Sequence, residues 1–387
     1  MADETRLIHS GSPPKDLPRT VGPPIQKGST VLLPNAAALY DDDSYITYGR
    51  QGLAAHDALR EALEVLEGAV GATLYPSGVA AITGALLAVL KAGDEILVAD
   101  TVYKPTRRFC DQVLKRFGVT PHYFDPLTPP DELIGEAPAA TRLILMESPG
   151  SLSFEMQDVA AVTALARERN ILTALDNTWG AGLIFKPLEH GVDLSIQALT
   201  KYVGGHSDIF MGSVAARDPK LVRALKDGIH HMGWAVSPED AYQMLRGLRT
   251  LPLRMARHGE SGLAVARWLA LQPEVARVIH PALPGAPDHE LWARDYTGAC
   301  GLFAFVLKPG PRKAVEAFLD TLKLFGLGFS WGGFESLAID CDPQLKPRKF
   351  KRDYGGPLIR LHVGLEDPQD LMADLRNGLG VYAEQAL

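Results

Sequence analysis

Four positions in this 387-residue chain have the residue types and settings to do chemistry together. Lys201 closes the run Asp193-Leu-Ser-Ile-Gln-Ala-Leu-Thr-Lys201, and upstream Asp176 closes Leu172-Thr-Ala-Leu-Asp176. A lysine that follows an apolar, strand-type run is desolvated. Desolvation lowers its pKa and leaves the free amine that imine formation requires. A carboxylate at the end of a neighbouring strand can keep a pyridine nitrogen protonated, and each pKa unit so gained is worth about 1.4 kcal/mol. An amine and a carboxylate in this arrangement suit pyridoxal phosphate, held as a Schiff base at Lys201 and paired through its ring nitrogen with Asp176.

Two further segments supply what such a cofactor and an amino acid would need. Leu74-Tyr75-Pro76-Ser77-Gly78-Val79-Ala80-Ala81 reads as a strand, a glycine-containing turn and a helix start. The free N–H groups of a helix N-terminus make an anion seat. Alone, Ser77 would be read as a helix N-cap; beside a downstream Asp and Thr-Lys, a phosphate seat is the better reading. In Leu358-Ile359-Arg360-Leu361-His362-Val363, alternation puts Arg360 and His362 on one strand face. A half-exposed antiparallel strand would account for that pattern, but a guanidinium there could also clamp an amino-acid carboxylate with two parallel hydrogen bonds.

The elements that must position these residues follow from periodicity. Leu59, Leu63 and Leu66 mark a helix that Gly68 can stop. Strand and helix signals then alternate. Strands are expected at 69–74, 95–99, 143–146, 171–175 and 194–199, with helices at 79–90, 105–117 and 158–169. This order implies an α/β fold with a mainly parallel sheet, whose ligands bind beyond the carboxyl ends of the strands. Further on, a helix at 262–271, a strand at 301–307, a helix at 311–322, a strand at 358–363 and a closing helix at 368–383 suggest a smaller α+β C-terminal domain. The expected division is an N-terminal arm at 1–52, a large cofactor-binding domain at 53–247 and a small domain at 248–387. The arm is rich in Pro and Gly and carries Asp41-Asp42-Asp43, read as a solvated turn.

Composition narrows the partners. Net charge is −7 and no basic stripe is present, which argues against nucleic acid. The first residues lack a signal-peptide pattern, and the longest helical apolar run is short of the ~20 residues of a membrane span. A soluble cytoplasmic protein without a membrane partner is the simplest reading. Cys110, Cys300 and Cys341 form no CxxC pair, so reduced packing thiols are expected rather than zinc or disulfides. No GxGxxG follows a strand and no GxxxxGK[ST] occurs. Gly205-His206-Ser207 lacks the closing glycine of a nucleophile elbow. His230-His231 lacks HExxH spacing and is read as a surface pair.

The chain resembles the Cys/Met-metabolism PLP enzymes of aminotransferase fold type I, almost end to end. The resemblance rests on Tyr48-Gly-Arg50, Tyr75-Pro-Ser-Gly-Val79, Thr101-Val-Tyr103, Glu147-Ser-Pro-Gly-Ser151, Asp176-Asn-Thr-Trp179, Thr200-Lys201-Tyr202, Gly205-His-Ser-Asp208, Ser330-Trp-Gly-Gly-Phe-Glu-Ser336 and Arg360-Leu-His-Val-Gly364. It implies that Tyr103 stacks on the cofactor ring and that Gly78, Val79 and Thr200 hold its phosphate. It also implies that Tyr48 and Arg50 reach that phosphate from a neighbouring subunit, and that Arg360 and Ser330 hold the substrate carboxylate. Trp331 in Ser-Trp-Gly-Gly resembles the β-lyase branch. The implied reaction is β-elimination of cystathionine to homocysteine, pyruvate and ammonia. The implied assembly is a homo-oligomer, a tetramer built from dimers with shared active sites. Other S-conjugates, cysteine or cystine as substrate, a γ-acting transsulfuration reaction and a non-enzymatic PLP-binding role remain open alternatives. Two departures are visible: Ala198 stands where several relatives have Ser, and His230-His231 where some β-lyases have an aromatic residue.

Overall fold

The computed structural model describes residues 2–11, 20–41 and 44–386. Asp42 and Asp43 of the acidic run lie outside them; Asp41 does form a turn, accepting the Ser44 N–H at 3.0 Å. The first sheet has seven strands: β1 (Gly71–Tyr75), β2 (Glu95–Ala99), β3 (Thr120–Phe124), β4 (Thr141–Glu147), β5 (Leu172–Asp176), β6 (Leu194–Gln197) and β7 (Gly212–Ala216), in the order β1-β7-β6-β5-β4-β2-β3. The β6-β5-β4-β2-β3 portion is parallel. β7 runs antiparallel to both of its neighbours, β1 and β6.

Register explains why the site forms at one edge. β4 and β5 pair Glu147 with Asp176, and β5 and β6 pair Asp176 with Ile196. The carboxyl ends of three adjacent parallel strands therefore align, and Lys201 follows just beyond β6. The helix Gly78–Val89 starts at the same edge, directly after β1. The helix Ala54–Glu67 ends at Gly68, which takes the left-handed conformation (φ +64°) of a helix C-terminus. At that end the buried Glu67 accepts hydrogen bonds from Ser195 (3.0 Å) and Gln197 of β6, bracing the strand that leads to Lys201.

Burial pushes the Glu67 carboxyl up to about 7, against those two hydrogen bonds. The folded state thus favours the protonated acid. That contribution to stability is full below the unfolded value of 4.5 and is lost as pH rises through about 7, on the order of 3 kcal/mol in all. Glu67→Gln, with a neutral side chain of the same shape, should flatten this slope. Chemical denaturation at pH 5 and pH 8 checks it; an unchanged slope would show that Glu67 is ionised in the folded protein throughout.

The second sheet has five strands: β8 (Val275–Ile279), β9 (Leu302–Leu307), β10 (Gly326–Leu327), β11 (Leu337–Asp340) and β12 (Leu358–His362), ordered β10-β11-β12-β9-β8. Its core, with Phe303, Phe305 and Phe318, packs under the helices Leu251–Leu269, Arg312–Thr321 and Pro368–Ala386. The first of these helices starts at Leu251, well before the expected position 262. Pro252 occupies a first-turn position, where it is tolerated. Gly259 and Gly262 look like breakers in sequence but serve close approach. A Cβ at either would stand 2.6–2.7 Å from the carbonyl oxygens of Ala299 and Cys300. The helix joins the two cores: Leu251 and Met255 lie in the first, Val265 and Leu269 in the second. β12 is not the half-exposed strand that its alternation allows. It lies between β11 and β9, and all five of its residues are buried.

Among the described residues no helix is long and apolar enough to cross a membrane, and no cluster of ligating side chains could hold a metal ion. The three cysteines are free and buried.

Candidate active site

A cavity of about 390 Å³ opens between the two sheets. Its lining includes Ser77, Gly78, Val79, Tyr103, Asp176, Thr200, Lys201, Ser330, Trp331 and Arg360. Of the residues singled out in sequence, Tyr48 and Arg50 do not line it. Arg50 instead donates to the His230 carbonyl at 2.9 Å, and half of the Tyr48 side chain is exposed. His230 and His231 also stand outside the cavity lining.

Lys201 projects from the segment after β6. Its Nζ donates to Ser330 Oγ at 2.8 Å and lies 5.6 Å from the centre of the Trp331 ring. Burial, helped by the nearby Arg360 charge and opposed by Asp176, lowers its pKa to about 8. At pH 7 about a tenth of the amine is therefore free of its proton, far more than for an ordinary lysine.

Asp176 ends β5. Its Oδ1 accepts from the Thr178 N–H at 3.1 Å and from the Thr178 hydroxyl at 2.5 Å. Asp176 thus caps the turn that follows β5 and also lines the cavity. Thr178 also accepts the Ala198 N–H at 2.9 Å, tying the end of β5 to the segment that carries Lys201. Burial raises the Asp176 carboxyl against the two Thr178 bonds and the Lys201 charge. A cationic ring N–H beside it would favour its ionised form.

Ser77 likewise has two roles. Its Oγ caps the helix by accepting the Ala80 N–H at 3.1 Å, and it lines the cavity with Gly78 and Val79 at the helix N-terminus. Thr200 is already engaged: its hydroxyl donates to the Met211 carbonyl at 3.1 Å and accepts the Met211 N–H at 3.0 Å. Ala198 packs where a Cβ on Gly78 would stand 2.5 Å away, so the helix start lies directly on the chain before Lys201.

Arg360 enters from β12. One Nη donates to the carbonyls of Ser330 (2.9 Å) and Gly328 (3.3 Å). Its Nε is buried and has no partner. An orphaned buried donor calls for an acceptor, and a carboxylate in the cavity would supply one. Burial lowers Arg360 to about 10, which leaves it cationic at neutral pH.

Glu147 is a site residue for which the sequence offers no signal beyond its place in the Glu147–Ser151 motif. It lines the cavity beside Asp176, and its Oε2 accepts the Tyr103 N–H at 2.6 Å. Burial, then the Asp176 charge, pushes its carboxyl well above the usual range. Burial, then Glu147 and Asp176, raises the Tyr103 phenol, which therefore keeps its proton. Phe210 and Phe329, both largely exposed, stand at the cavity as well. Phe210 had no sequence signal beyond hydrophobicity.

The residues present fit pyridoxal phosphate. An amine of lowered pKa, a buried carboxylate and a helix N-terminus face one cavity, matching the aldehyde, ring nitrogen and phosphate of that molecule.

Comparison with known proteins agrees. Residues 4–380 match the family described as Cys/Met metabolism PLP-dependent enzyme. A Rhizobium johnstonii protein is 48% identical over 380 residues, covering 97% of this chain and 95% of that one. Cystathionine beta-lyase MetC of Escherichia coli is 41% identical, covering 98% of this chain and 99% of its own. The crystal structure of MetB from Corynebacterium glutamicum superposes with a TM-score of 0.91 at 30% identity, covering 98% of each chain. Given this match in sequence, fold and site chemistry, the chain belongs to the Cys/Met metabolism PLP-dependent enzyme family.

Proposed function

We propose that the protein is a cystathionine β-lyase, cleaving the Cβ–S bond of cystathionine to give homocysteine, pyruvate and ammonia. The observation that carries this reading is the 2.8 Å contact between Lys201 Nζ and Ser330 Oγ. It brings the amine from the edge of the first sheet to the loop that Arg360 holds from the second. Pyridoxal phosphate, when bound, supplies an electron-withdrawing ring conjugated to the substrate Cα. Asp176 keeps a proton at the ring nitrogen. Gly78, Val79 and Ser77 would seat the phosphate, with the Thr200 hydroxyl beside them. Tyr103, anchored through its N–H by Glu147, covers the ring face. Arg360 and Ser330 hold the amino-acid carboxylate, and Trp331 walls the side chain. Lys201 Nζ takes the Cα proton. That proton is then available to the departing sulfur, with the Tyr103 hydroxyl as the second donor.

Incubation with cystathionine, cystine and cysteine, with product analysis, tests the reading. Pyruvate from cystathionine as the preferred substrate is expected. 2-Oxobutyrate would place the cleavage at Cγ, preference for cysteine or cystine would make it a different C–S lyase, and no turnover would favour a non-catalytic PLP-binding role. Arg360→Lys should lower kcat/KM by about 10- to 150-fold, because an ammonium cannot make both bonds of the fork. This corresponds to about 1.5–3 kcal/mol for hydrogen bonds to a charged group. Unchanged kinetics would leave Arg360 only its contacts to Ser330 and Gly328.

The reading includes the division into an arm at 1–52, a large domain at 53–247 and a small domain at 248–387. It also includes a tetramer built from dimers, in which Tyr48 and Arg50 complete the partner's phosphate site. Leu7 is buried in the core, but Val21, Leu32 and Tyr40 of the arm are almost fully exposed, which supports a partner surface. Arg50→Ala and Lys201→Ala should each be impaired alone. Co-refolding the two variants should recover part of the activity, since some mixed sites have both residues intact. No recovery in verified mixed oligomers would mean that the arm serves its own subunit.

A further inference from the structure

His362 shares a face of β12 with Arg360, but no step above uses it. Its ring is wholly buried, and its Nε2 lies 3.0 Å from the Gly332 N and 3.1 Å from the Gly333 carbonyl oxygen. Both glycines are buried. A buried backbone N–H without an acceptor is rare and costly, and His362 is the acceptor offered to Gly332. The turn it holds presses on the catalytic lysine. Gly332 has φ +81°, and a Cβ there would stand 2.8 Å from the Tyr202 N and 2.9 Å from both C and Cβ of Lys201. Ser330 and Trp331 immediately precede it. β12 thus grips the Ser330–Gly333 turn at two points, through Arg360 on the Ser330 carbonyl and through His362 Nε2, which accepts the Gly332 N–H.

The rear of the ring is packed. Tyr202 and His258 pack against His362 with tilted rings at centroid distances of 5.8 and 5.3 Å, and Tyr202 in turn meets Trp331 edge-on at 5.4 Å. His362 Nδ1, His258 Nε2 and the Tyr202 hydroxyl are all buried without partners. An apolar residue would fill that pocket at lower desolvation cost, so the imidazole is explained by what its Nε2 does on the other side.

We propose that His362 is a positioning residue. By accepting the Gly332 N–H at Nε2, it fixes the Ser330 hydroxyl and the Trp331 ring against Lys201 and so sets the substrate-binding geometry. This rests on the reading of Ser330 and Trp331 as substrate contacts. Its test does not require cystathionine turnover, because L-alanine, which has no leaving group at Cβ, can be titrated into the holoenzyme and followed by visible absorption. His362→Leu should weaken L-alanine binding about tenfold or more, the effect of leaving one buried N–H unmade. Cofactor content should stay unchanged, and kcat/KM on cystathionine should fall alongside. His362→Gln, whose Oε1 extends about as far as Nε2, should recover most of the affinity. His362→Asn is equally polar but one carbon shorter and should not.

Wild-type affinity in His362→Leu would overturn the proposal. So would equal affinity in the Gln and Asn variants, a comparison that stands even if the leucine variant does not fold. If the wild type binds L-alanine, the variants rank as stated and cystathionine is not cleaved, the positioning role holds and the substrate reading falls.

Discussion

Lys201→Ala is expected to abolish turnover. The substitution removes the amine that holds the cofactor covalently and the base that takes the Cα proton. A positioned acid–base group alone is worth about 10²- to 10⁴-fold, and covalent anchoring adds to it. The fold should survive. β6 stays paired with β5 and β7, and the substitution removes the hydrogen bond to Ser330 and the approach of Nζ to the Trp331 ring. Borohydride treatment before denaturation should leave the cofactor attached in the wild type and unattached in the variant. Near-normal activity in highly purified variant, or covalent retention of the cofactor, would assign the amine to another residue.

Asp176→Asn should also fold, because an amide oxygen can still accept the two Thr178 hydrogen bonds. It should nevertheless slow removal of the Cα proton severely. An uncharged amide cannot hold a proton on the ring nitrogen by charge, and a loss of two pKa units there amounts to about 2.7 kcal/mol, or about 100-fold in rate. Exchange of the Cα hydrogen of L-alanine in D₂O, followed by NMR, isolates this step from bond cleavage. Exchange at the wild-type rate would mean that Asp176 only caps its turn.

Both residues were legible in sequence for a physical reason. A parallel strand buried on both faces must be an apolar run, and a charged residue closing such a run stands where strands end and ligands bind. The phosphate turn was legible because a helix start after a strand exposes N–H groups wherever it occurs. β7 was not read. Gly212-Ser-Val-Ala-Ala has little hydrophobic signal, and it is a strand because it fits between β1 and β6, where all five residues are buried. The helix from Leu251 extends well before the expected start at 262, and Gly259 and Gly262 serve close approach within it without interrupting it.

By itself, then, the sequence determined the α/β class, the amine and carboxylate at strand ends, the helix start that can seat a phosphate, and the family. The first three are local properties of residue type and periodicity, and the family rests on the resemblance of its motifs. Only the tertiary structure decided that Arg360 faces Lys201 across the cleft, that Glu147 anchors Tyr103, that Thr178 steadies Asp176 and that His362 grips the turn over the lysine. Those relations join residues on different strands, sheets and loops. Whether two distant side chains meet depends on register and on the packing of one core against another, and no local pattern records either.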